Sequence, residues 1–241
     1  MTDAELAARL AEAAGCIALA VRASAAFEGR ALGDVGDTLA NAFLTRALRL
    51  QRPDDGLLSE ESTDSPERLG QRRVWIVDPI DGTREYAERR TDWAVHVALA
   101  IDGAPVAGAV ALPDLGLTLR SDRPAPLPAL PSQPRMVVSR SRPPAEAARI
   151  VAALNALTMP LGSAGAKAMA VVRGEAEIYL HSGGQHQWDN CAPVAVALAH
   201  GLHCSRLDGS PLRYNGVDTL LPDLLICRPE LAGPVLAALR A

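Results

Sequence analysis

A short apolar run that ends abruptly in two aspartates constrains this chain more than any other feature. Residues 74–77 are continuously apolar, which predicts a buried strand, and Asp78 follows them directly. Pro79 has no N–H to donate to a strand ladder, so we expect the strand to end there. Asp81 follows three residues after Asp78, and the two carboxylates would repel each other unless cations lay between them.

The residues after Asp81 favour the same interpretation. Gly82 and Thr83 stand where a helix would begin, and the N–H groups of such a start would bind a phosphate oxygen. Carboxylate oxygens alone suit Mg²⁺ or Mn²⁺ and not zinc. An ordinary Asp-Pro turn followed by a helix cap is the alternative interpretation of this segment.

Two other acidic segments have ordinary structural explanations when each is taken singly. Glu60 and Glu61 follow the short apolar run 56–59, and a solvated loop start would explain them. Asp189 follows Trp188 where a helix is predicted to begin, so it would serve as the N-cap. These acids indicate metal ligands only when they are considered together with Asp78.

The overall charge argues against a nucleic acid polymer as the partner. The chain has 241 residues, with 24 Lys and Arg against 28 Asp and Glu, a formal net charge of −4. A duplex-binding protein normally shows a basic excess, and three Trp, three Tyr and two Phe are too few for a base-stacking surface. An anionic substrate must therefore be attracted by a local feature, such as metal ions or a helix N-terminus.

The sequence also predicts a location in the cytoplasm. Its apolar runs are shorter than the roughly 20 residues of a membrane span, and its acidic N-terminus is unlike a signal peptide. We expect no membrane association. Cys16, Cys191, Cys204 and Cys227 have no CxxC spacing and are expected to be reduced.

Hydrophobic periodicity predicts an α+β protein in two halves that are joined by a proline-rich stretch at 122–134. In the first half it predicts helices over 3–26 and 37–50 and strands over 56–59, 72–78, 93–101, 106–112 and 117–120. In the second half it predicts strands over 135–138, 176–180, 202–206 and 223–227 and helices over 144–157, 164–173, 189–200 and 230–240. We expect an N-terminal lobe at 1–121 and a C-terminal α/β lobe at 135–241 that act as one functional unit. A disordered linker between independent domains is the alternative.

Together these segments resemble the inositol monophosphatase superfamily, a lithium-sensitive and Mg²⁺-dependent group. Glu60–Glu61, the string Asp-Pro-Ile-Asp-Gly-Thr at 78–83 and Trp188–Asp189 match its two signatures in order and spacing. The turn 162–165 with Lys167 fits a further segment. The resemblance covers nearly the whole chain and implies a layered α-β-α-β-α fold of the sugar-phosphatase type with two lobes.

The resemblance implies a set of metal ligands. Glu60, Asp78 and the backbone carbonyl of Ile80 would hold a first Mg²⁺, and Asp78, Asp81 and Asp189 would hold a second. Glu60 would also reach a third, weaker ion through water. Mn²⁺ would substitute for Mg²⁺, and Li⁺ would inhibit. Replacing Asp81 with Asn is expected to raise the stability of the metal-free protein, because carboxylate repulsion is relieved.

The resemblance also implies catalytic and substrate-binding residues. Thr83, paired with Asp37, would orient the attacking water, with Glu61 as a nearby assisting acid. Gly82 and Thr83 would bind a phosphate oxygen of the substrate. Gly162, Ser163 and Lys167 would bind a second phosphate through helix N–H groups and the lysine charge.

The residues after the aspartate string indicate a subgroup. Arg84 and Glu85 continue the string in a form that resembles the motif of the CysQ-type 3′(2′),5′-bisphosphate nucleotidases. The segments 207–215 and 222–225 resemble those of the actinobacterial members. These enzymes convert 3′-phosphoadenosine 5′-phosphate, a by-product of sulfate assimilation, to AMP and phosphate. An inositol 1-phosphate or fructose 1,6-bisphosphate phosphatase is the alternative on the same metal site. A non-catalytic phosphate binder is disfavoured, because no predicted metal ligand is missing.

Two further implications concern the N-terminal region and assembly. The stretch 30–36 is short and rich in glycine where the family usually carries a Lys and a Ser-Pro-Val-Thr element. This departure puts a mobile flap, a lysine contact and the third ion in question. Relatives are commonly homodimers, so a homodimer is compatible with the resemblance.

Overall fold

The computed structural model describes residues 1–240, which form two five-stranded sheets and three layers of helices. The helices are α1 (Asp3–Ala23), α2 (Gly29–Gln51), α3 (Thr83–Ala87), α4 (Ala147–Leu154), α5 (Ala164–Val172), α6 (Gln187–Ala199) and α7 (Pro229–Arg240). The strands are β1 (Gly56–Ser59), β2 (Arg73–Asp81), β3 (Ala94–Ile101), β4 (Ala104–Leu112), β5 (Leu117–Arg120), β6 (Arg135–Ser139), β7 (Leu157–Leu161), β8 (Ile178–His186), β9 (His203–Ser205) and β10 (Leu220–Cys227).

The first sheet has its strands in chain order, from β1 to β5, and only β1 and β2 pair in parallel. Helices α1 and α2 cover one face of it, where Leu6 and Leu44 share a core with Trp75 and Val97. A reciprocal capping box at Thr2 and Glu5 starts α1, because each side chain accepts the backbone N–H of the other residue, at 3.1 and 2.9 Å.

The second sheet has the order β7-β6-β8-β10-β9. Helices α5 and α6 lie between the two sheets, with Met169 and Val194 in a core that takes in residues of both. Helices α4 and α7 cover the far face, where Ile150 and Val235 are fully buried. The layers are therefore α-β-α-β-α, and the predicted α+β fold is confirmed.

Helix α2 begins at Gly29, so the prediction of a helix start at residue 37 is wrong. Glycine has a low helix propensity, but here the packing of the helix outweighs it. A Cβ at Gly33 would lie 2.8 Å from Thr83 Cγ2, and one at Gly36 would lie 2.7 Å from Tyr86 Cε1. The glycines thus allow α2 to lie close to the chain that follows β2.

Strand β7 was not predicted, and the predicted helix 144–157 is shorter in the structure. Helix α4 ends at Leu154, because Asn155 takes a left-handed conformation with φ of 48°. The chain then adds β7 in parallel to β6 at the edge of the second sheet, a position that tolerates Pro160. Strand β8 also extends further than predicted, to His186.

The proline-rich stretch 122–134 contains neither helix nor strand. It is packed against the second half of the chain, since Arg228 donates a hydrogen bond of 2.6 Å to the carbonyl of Pro128 and Leu127 contacts the central core. The division into lobes at 121 and 135 stays a prediction. Within residues 1–240, no helix has the length and apolar character needed to cross a membrane.

Candidate active site

A β-bulge places Asp78 and Asp81 on one side of β2. The sequence predicts that the strand ends at Pro79, but in the structure it continues to Asp81. Asp78 pairs with His96 of β3, and Asp81 pairs with Ala94, so β2 has one extra residue between these pairs. Side chains three apart normally point to opposite faces of a strand, but the extra residue restores a common face. The unpaired bulge position also explains why the strand tolerates Pro79.

Two acids on β2 and one on α6 come together beside the bulge. Carboxylate oxygens of Asp78, Asp81 and Asp189 all lie within 4.8 Å of one another, and we call these residues the acidic cluster. Asp189 stands in the first turn of α6, and its Oδ2 accepts the backbone N–H of His186 at 2.6 Å. The prediction of Asp189 as the N-cap is therefore wrong, because α6 begins earlier, at Gln187.

Glu60 reaches the same region from the neighbouring strand. Strand β1 runs parallel to β2, with Ser59 paired to Val77, so Glu60 follows β1 beside the position of Asp78. Asn41 of α2 holds the start of this loop, because it accepts a hydrogen bond of 2.7 Å from Ser59 and donates one of 3.0 Å to the carbonyl of Glu61. Glu61 itself is exposed.

Asp78 is the least compensated acid of the cluster. Among residues 1–240, nothing donates a hydrogen bond to its buried Oδ1. Burial and the negative charges of Glu60 and Asp81 raise the pKa of Asp78 well above its ordinary value. Loss of hydration and repulsion from Asp189 raise the pKa of Glu60 to about 7, although the residue is exposed. Asp189 has its pKa raised to about 6, chiefly by burial.

Asp81 has the opposite surroundings. Its Oδ1 accepts the N–H of Ala164 at 3.2 Å, and its Oδ2 accepts the N–H of Gly165 at 2.5 Å, both from the start of α5. His96 Nε2 lies 3.3 Å from the same Oδ2. Burial opposes the ionisation of Asp81, but the charge of His96 and these hydrogen bonds outweigh it and lower the pKa of Asp81.

The acidic cluster fits a divalent cation. Its donors are all carboxylate oxygens, which Mg²⁺ and Mn²⁺ prefer. A cation would also provide the partner that Oδ1 of Asp78 lacks and would offset the repulsion that raises the pKa of these acids. The predicted ligands Asp78, Asp81 and Asp189 thus come together.

Asp37 and Thr83 lie next to the cluster. Asp37 is buried on α2, and burial, with added repulsion from Glu61, raises its pKa to about 8, while the Thr83 side chain has the opposite effect. The hydroxyl of Thr83 donates a hydrogen bond of 3.2 Å to the carbonyl of Ile80. The Ile80 carbonyl, which is predicted to bind metal, therefore faces the Thr83 side chain, which is predicted to orient water. Both roles stay predictions.

The turn before α5 uses its N–H groups within the protein. Gly162 donates to Oδ2 of Asp92 at 2.7 Å, and Ala166 donates to Oγ of Ser163 at 3.0 Å. Of the three N–H groups between them, one goes to the carbonyl of Asp92 at 3.2 Å, and the other two go to Asp81. This arrangement differs from the sequence-based expectation that the N–H groups of this helix start would face a phosphate of the substrate.

Lys167 is buried and faces the same turn. Its Nζ donates to the carbonyl of Gly162 and, at 2.6 Å, to that of Ser163. Burial lowers the pKa of Lys167 to about 8, although nearby acids such as Asp81 partly offset the effect. Lys167 borders the cleft described below, so its predicted contact with substrate stays a prediction.

A cleft of about 470 Å³ extends from the acidic cluster to the second sheet. Asp81, Asp189 and Gly82 line one part of it, and Lys167 lines another. Several of its lining residues were missed by the sequence analysis: Arg84, Ser139, Ser141, Arg142, His181 and Gln185. The only local signal for Arg142 was its position after a predicted strand, which is weak evidence without the fold.

A family model described as the inositol monophosphatase family matches residues 7–240. The chain belongs to this family. A curated protein of Mycobacterium leprae, named 3′-phosphoadenosine 5′-phosphate phosphatase, is 49% identical over 100% of this chain and 94% of its own length. The CysQ 3′(2′),5′-bisphosphate nucleotidase of Escherichia coli is 31% identical over 77% of this chain and 80% of its own length.

Solved structures support the fold of an inositol monophosphatase family member. CysQ from Bacteroides thetaiotaomicron aligns with a TM-score of 0.80 and 24% identity, and the alignment covers 94% of this chain and 97% of that one. The inositol monophosphatase of Anabaena aligns with a TM-score of 0.78 and 23% identity over 98% and 94% of the two chains. The family is metal-dependent, in agreement with the acidic cluster.

The stretch that departs from the family pattern is part of a helix in this member. Residues 30–36 form the first turns of α2, and Gly33 and Gly36 pack against the chain around Thr83 and Tyr86. This close packing carries Asp37 to its place beside Thr83. The short, glycine-rich stretch therefore contributes to the position of a predicted catalytic acid.

Proposed function

We propose that this chain is a Mg²⁺-dependent phosphatase that hydrolyses 3′-phosphoadenosine 5′-phosphate to AMP and phosphate. The observation that carries the proposal is a cleft whose lining includes Asp81 and Asp189 of the acidic cluster and, elsewhere, the cations Arg84, Arg142 and Lys167 with one further acid, Glu85. A substrate with two phosphates matches this division of charge. Relatives in M. leprae and Mycobacterium tuberculosis, at 49% and 50% identity, are named for this activity.

The proposal assigns the cations to the acidic cluster and Glu60. Asp78, Asp81 and Asp189 would hold one ion between them, and Asp78 with Glu60 would hold another. Bound Mg²⁺ supplies charge neutralisation for the transferring phosphoryl group and eases the deprotonation of water. Mn²⁺ would serve as well, because the donors are all oxygens, and inhibition by Li⁺ is part of the proposal.

Asp37 and Thr83 would prepare the attacking water. A general base works best when its pKa lies close to the working pH, and the pKa of Asp37 is about 8. The Thr83 hydroxyl lies between this carboxyl and the carbonyl of Ile80. It would accept a hydrogen bond from the water and pass a proton towards Asp37, while exposed Glu61 assists from the loop after β1.

The cations of the cleft would hold the phosphate that is not removed. Arg84 and Arg142 are exposed, so their guanidinium groups are accessible from the cleft, whereas Lys167 is buried behind it. Arginine forms paired hydrogen bonds with phosphate oxygens. Because the N–H groups at the start of α5 are already used, side-chain charge becomes the main support for the second phosphate.

Phosphate release from three substrates, measured side by side with Mg²⁺, tests the proposal. We expect the highest kcat/KM with 3′-phosphoadenosine 5′-phosphate, lower values with inositol 1-phosphate and fructose 1,6-bisphosphate, and inhibition of all three by added Li⁺. A preference for either of the other two substrates would contradict the nucleotide assignment, and no release from any would contradict the activity. The homodimer and the cytoplasmic location stay predictions, which light scattering and cell fractionation would test.

A further inference from the structure

His96 is a polar residue in the centre of an otherwise apolar, buried strand. Its neighbours on β3, from Ala94 to Ala100, are alanine, valine and leucine, and the histidine side chain is completely buried. A buried polar ring costs free energy unless its nitrogens find partners. The position of His96 therefore depends on what its two ring nitrogens contact.

The two nitrogens contact two different parts of the molecule. Nδ1 donates a hydrogen bond of 3.0 Å to the backbone carbonyl of Trp188, in the first turn of α6. Nε2 makes no hydrogen bond within residues 1–240, but it lies 3.3 Å from Oδ2 of Asp81, at the end of β2, which is an ion-pair distance. The Trp188 carbonyl belongs to the peptide that leads into Asp189. One ring thus touches Asp81 directly and holds the backbone next to Asp189.

The surrounding chain makes room for the ring. A Cβ at Gly165 would lie 2.2 Å from His96 Nε2 and 3.0 Å from Oδ2 of Asp81, so any side chain there would displace one of them. The glycine also donates its N–H to the same carboxylate oxygen. Strands β2 and β3 and helices α5 and α6 therefore meet around His96.

We propose that His96 is a positioning residue that fixes the separation between Asp81 and Asp189. The first of these acids comes from the first sheet, and the second comes from the helix layer between the sheets, so no single element sets their distance. His96 ties the two together through its ring. The inference rests on the proposed function only in treating the acidic cluster as a cation site.

Three substitutions separate the two contacts of the ring. His96→Leu removes both of them while it keeps an apolar side chain in the core. In His96→Asn the amide nitrogen takes the place of Nδ1, which retains the Trp188 contact, and in His96→Gln it takes the place of Nε2, which retains the Asp81 contact. His200 provides a matched control, because it is also buried and its Nδ1 bonds the Val196 carbonyl at 2.8 Å, at the far end of α6.

The test is the affinity for Mn²⁺ without substrate, measured by electron paramagnetic resonance on folded protein. Loss of a residue that orients metal ligands typically weakens metal binding 10- to 100-fold. We expect about a 10-fold or greater loss in His96→Leu, smaller losses in His96→Asn and His96→Gln, and no change in His200→Leu. At saturating Mn²⁺ the KM of the substrate should change less than about twofold, because His96 itself does not line the cleft.

Several outcomes would overturn the inference. Mn²⁺ affinity in folded His96→Leu within about twofold of the unaltered protein would do so. If His96→Leu does not fold, equal affinity in His96→Asn, His96→Gln and the unaltered protein would overturn it as well. A loss of Mn²⁺ affinity in these variants, together with no phosphate release from any substrate in the unaltered protein, would support the inference while contradicting the proposed function.

Discussion

Asp78 and Asp81 lie on the same strand and share one face, yet their surroundings are opposite. Asp81 receives two backbone N–H groups from α5 and contacts His96, and its pKa is lowered. Asp78 has a buried oxygen without a donor among residues 1–240, and its pKa is raised. The difference teaches that the protein itself stabilises the ionised form of Asp81. The ionised form of Asp78 lacks this support, and a cation would supply it.

The largest expected effect is on turnover, and it should be the same for both acids. Asp78→Asn and Asp81→Asn each remove a charged ligand from the cluster. We expect kcat at saturating Mg²⁺ to fall on the order of 10³-fold or more in each. Asp102→Asn, at an exposed hairpin turn, serves as the control and should retain full activity. Near-normal turnover in either cluster variant would contradict the site.

The stability of the metal-free protein should distinguish the two acids. Asp78→Asn relieves repulsion in a group whose pKa is raised, so it should raise the melting temperature in EDTA. Asp81→Asn removes a stabilised charge and should lower it, which reverses our sequence-based expectation for Asp81. Each shift should be about 3 °C or more for a chain of this size. Shifts of the same sign would remove the contrast between the two acids.

The same contrast predicts how stability depends on pH. The pKa values of Asp37, Glu60 and Asp189 are raised to about 8, 7 and 6, so the folded state binds protons more tightly than the unfolded state. Metal-free stability should therefore fall as the pH rises from about 5 to 8. Asp81 has the opposite effect on stability, because its pKa is lowered. Its contribution to the stability of the folded state is lost only as the pH falls through that lowered pKa.

Thermal unfolding in EDTA and in Mg²⁺ across this pH range checks that prediction. Added Mg²⁺ should stabilise the protein more at pH 8 than at pH 5.5, because the acids must be ionised to bind it. Metal-free stability that is constant or rises with pH would be inconsistent with under-compensated acids in the cluster.

The smallest expected effect concerns the cationic part of the cleft. Lys167→Met keeps the length of the buried side chain, and Arg142→Ala removes an exposed charge. A lost charged hydrogen bond should raise the KM for 3′-phosphoadenosine 5′-phosphate about 10-fold and leave the KM for inositol 1-phosphate nearly unchanged. For each variant, the rise in KM for the nucleotide is divided by the rise in KM for inositol 1-phosphate. The variant with the larger ratio identifies the residue that holds the second phosphate. Equal effects on both substrates would exclude that residue as the selector.

The apolar run before Asp78 and its close spacing to Asp81 are local signals, and they predicted a cation site at the end of this strand. Asp189 joined the predicted ligands through the resemblance to the family, because taken singly it had an ordinary explanation as a helix cap. The bulge could not be predicted, because it is defined by the pairing of β2 with β3. His96 was missed for the same reason, since its partners are distant in sequence. The start of α2 was missed because the packing of Gly33 and Gly36 outweighs their helix propensity.

A crystal structure with Mn²⁺ and inorganic phosphate tests the central claim most directly. The anomalous signal locates each Mn²⁺ without reference to any assumed role. We predict a peak among Asp78, Asp81 and Asp189, with metal–oxygen distances of ~2.0–2.6 Å, and phosphate beside it in the cleft. A structure with no Mn²⁺ at the acidic cluster, or with the ion bound elsewhere in the cleft, would contradict the account.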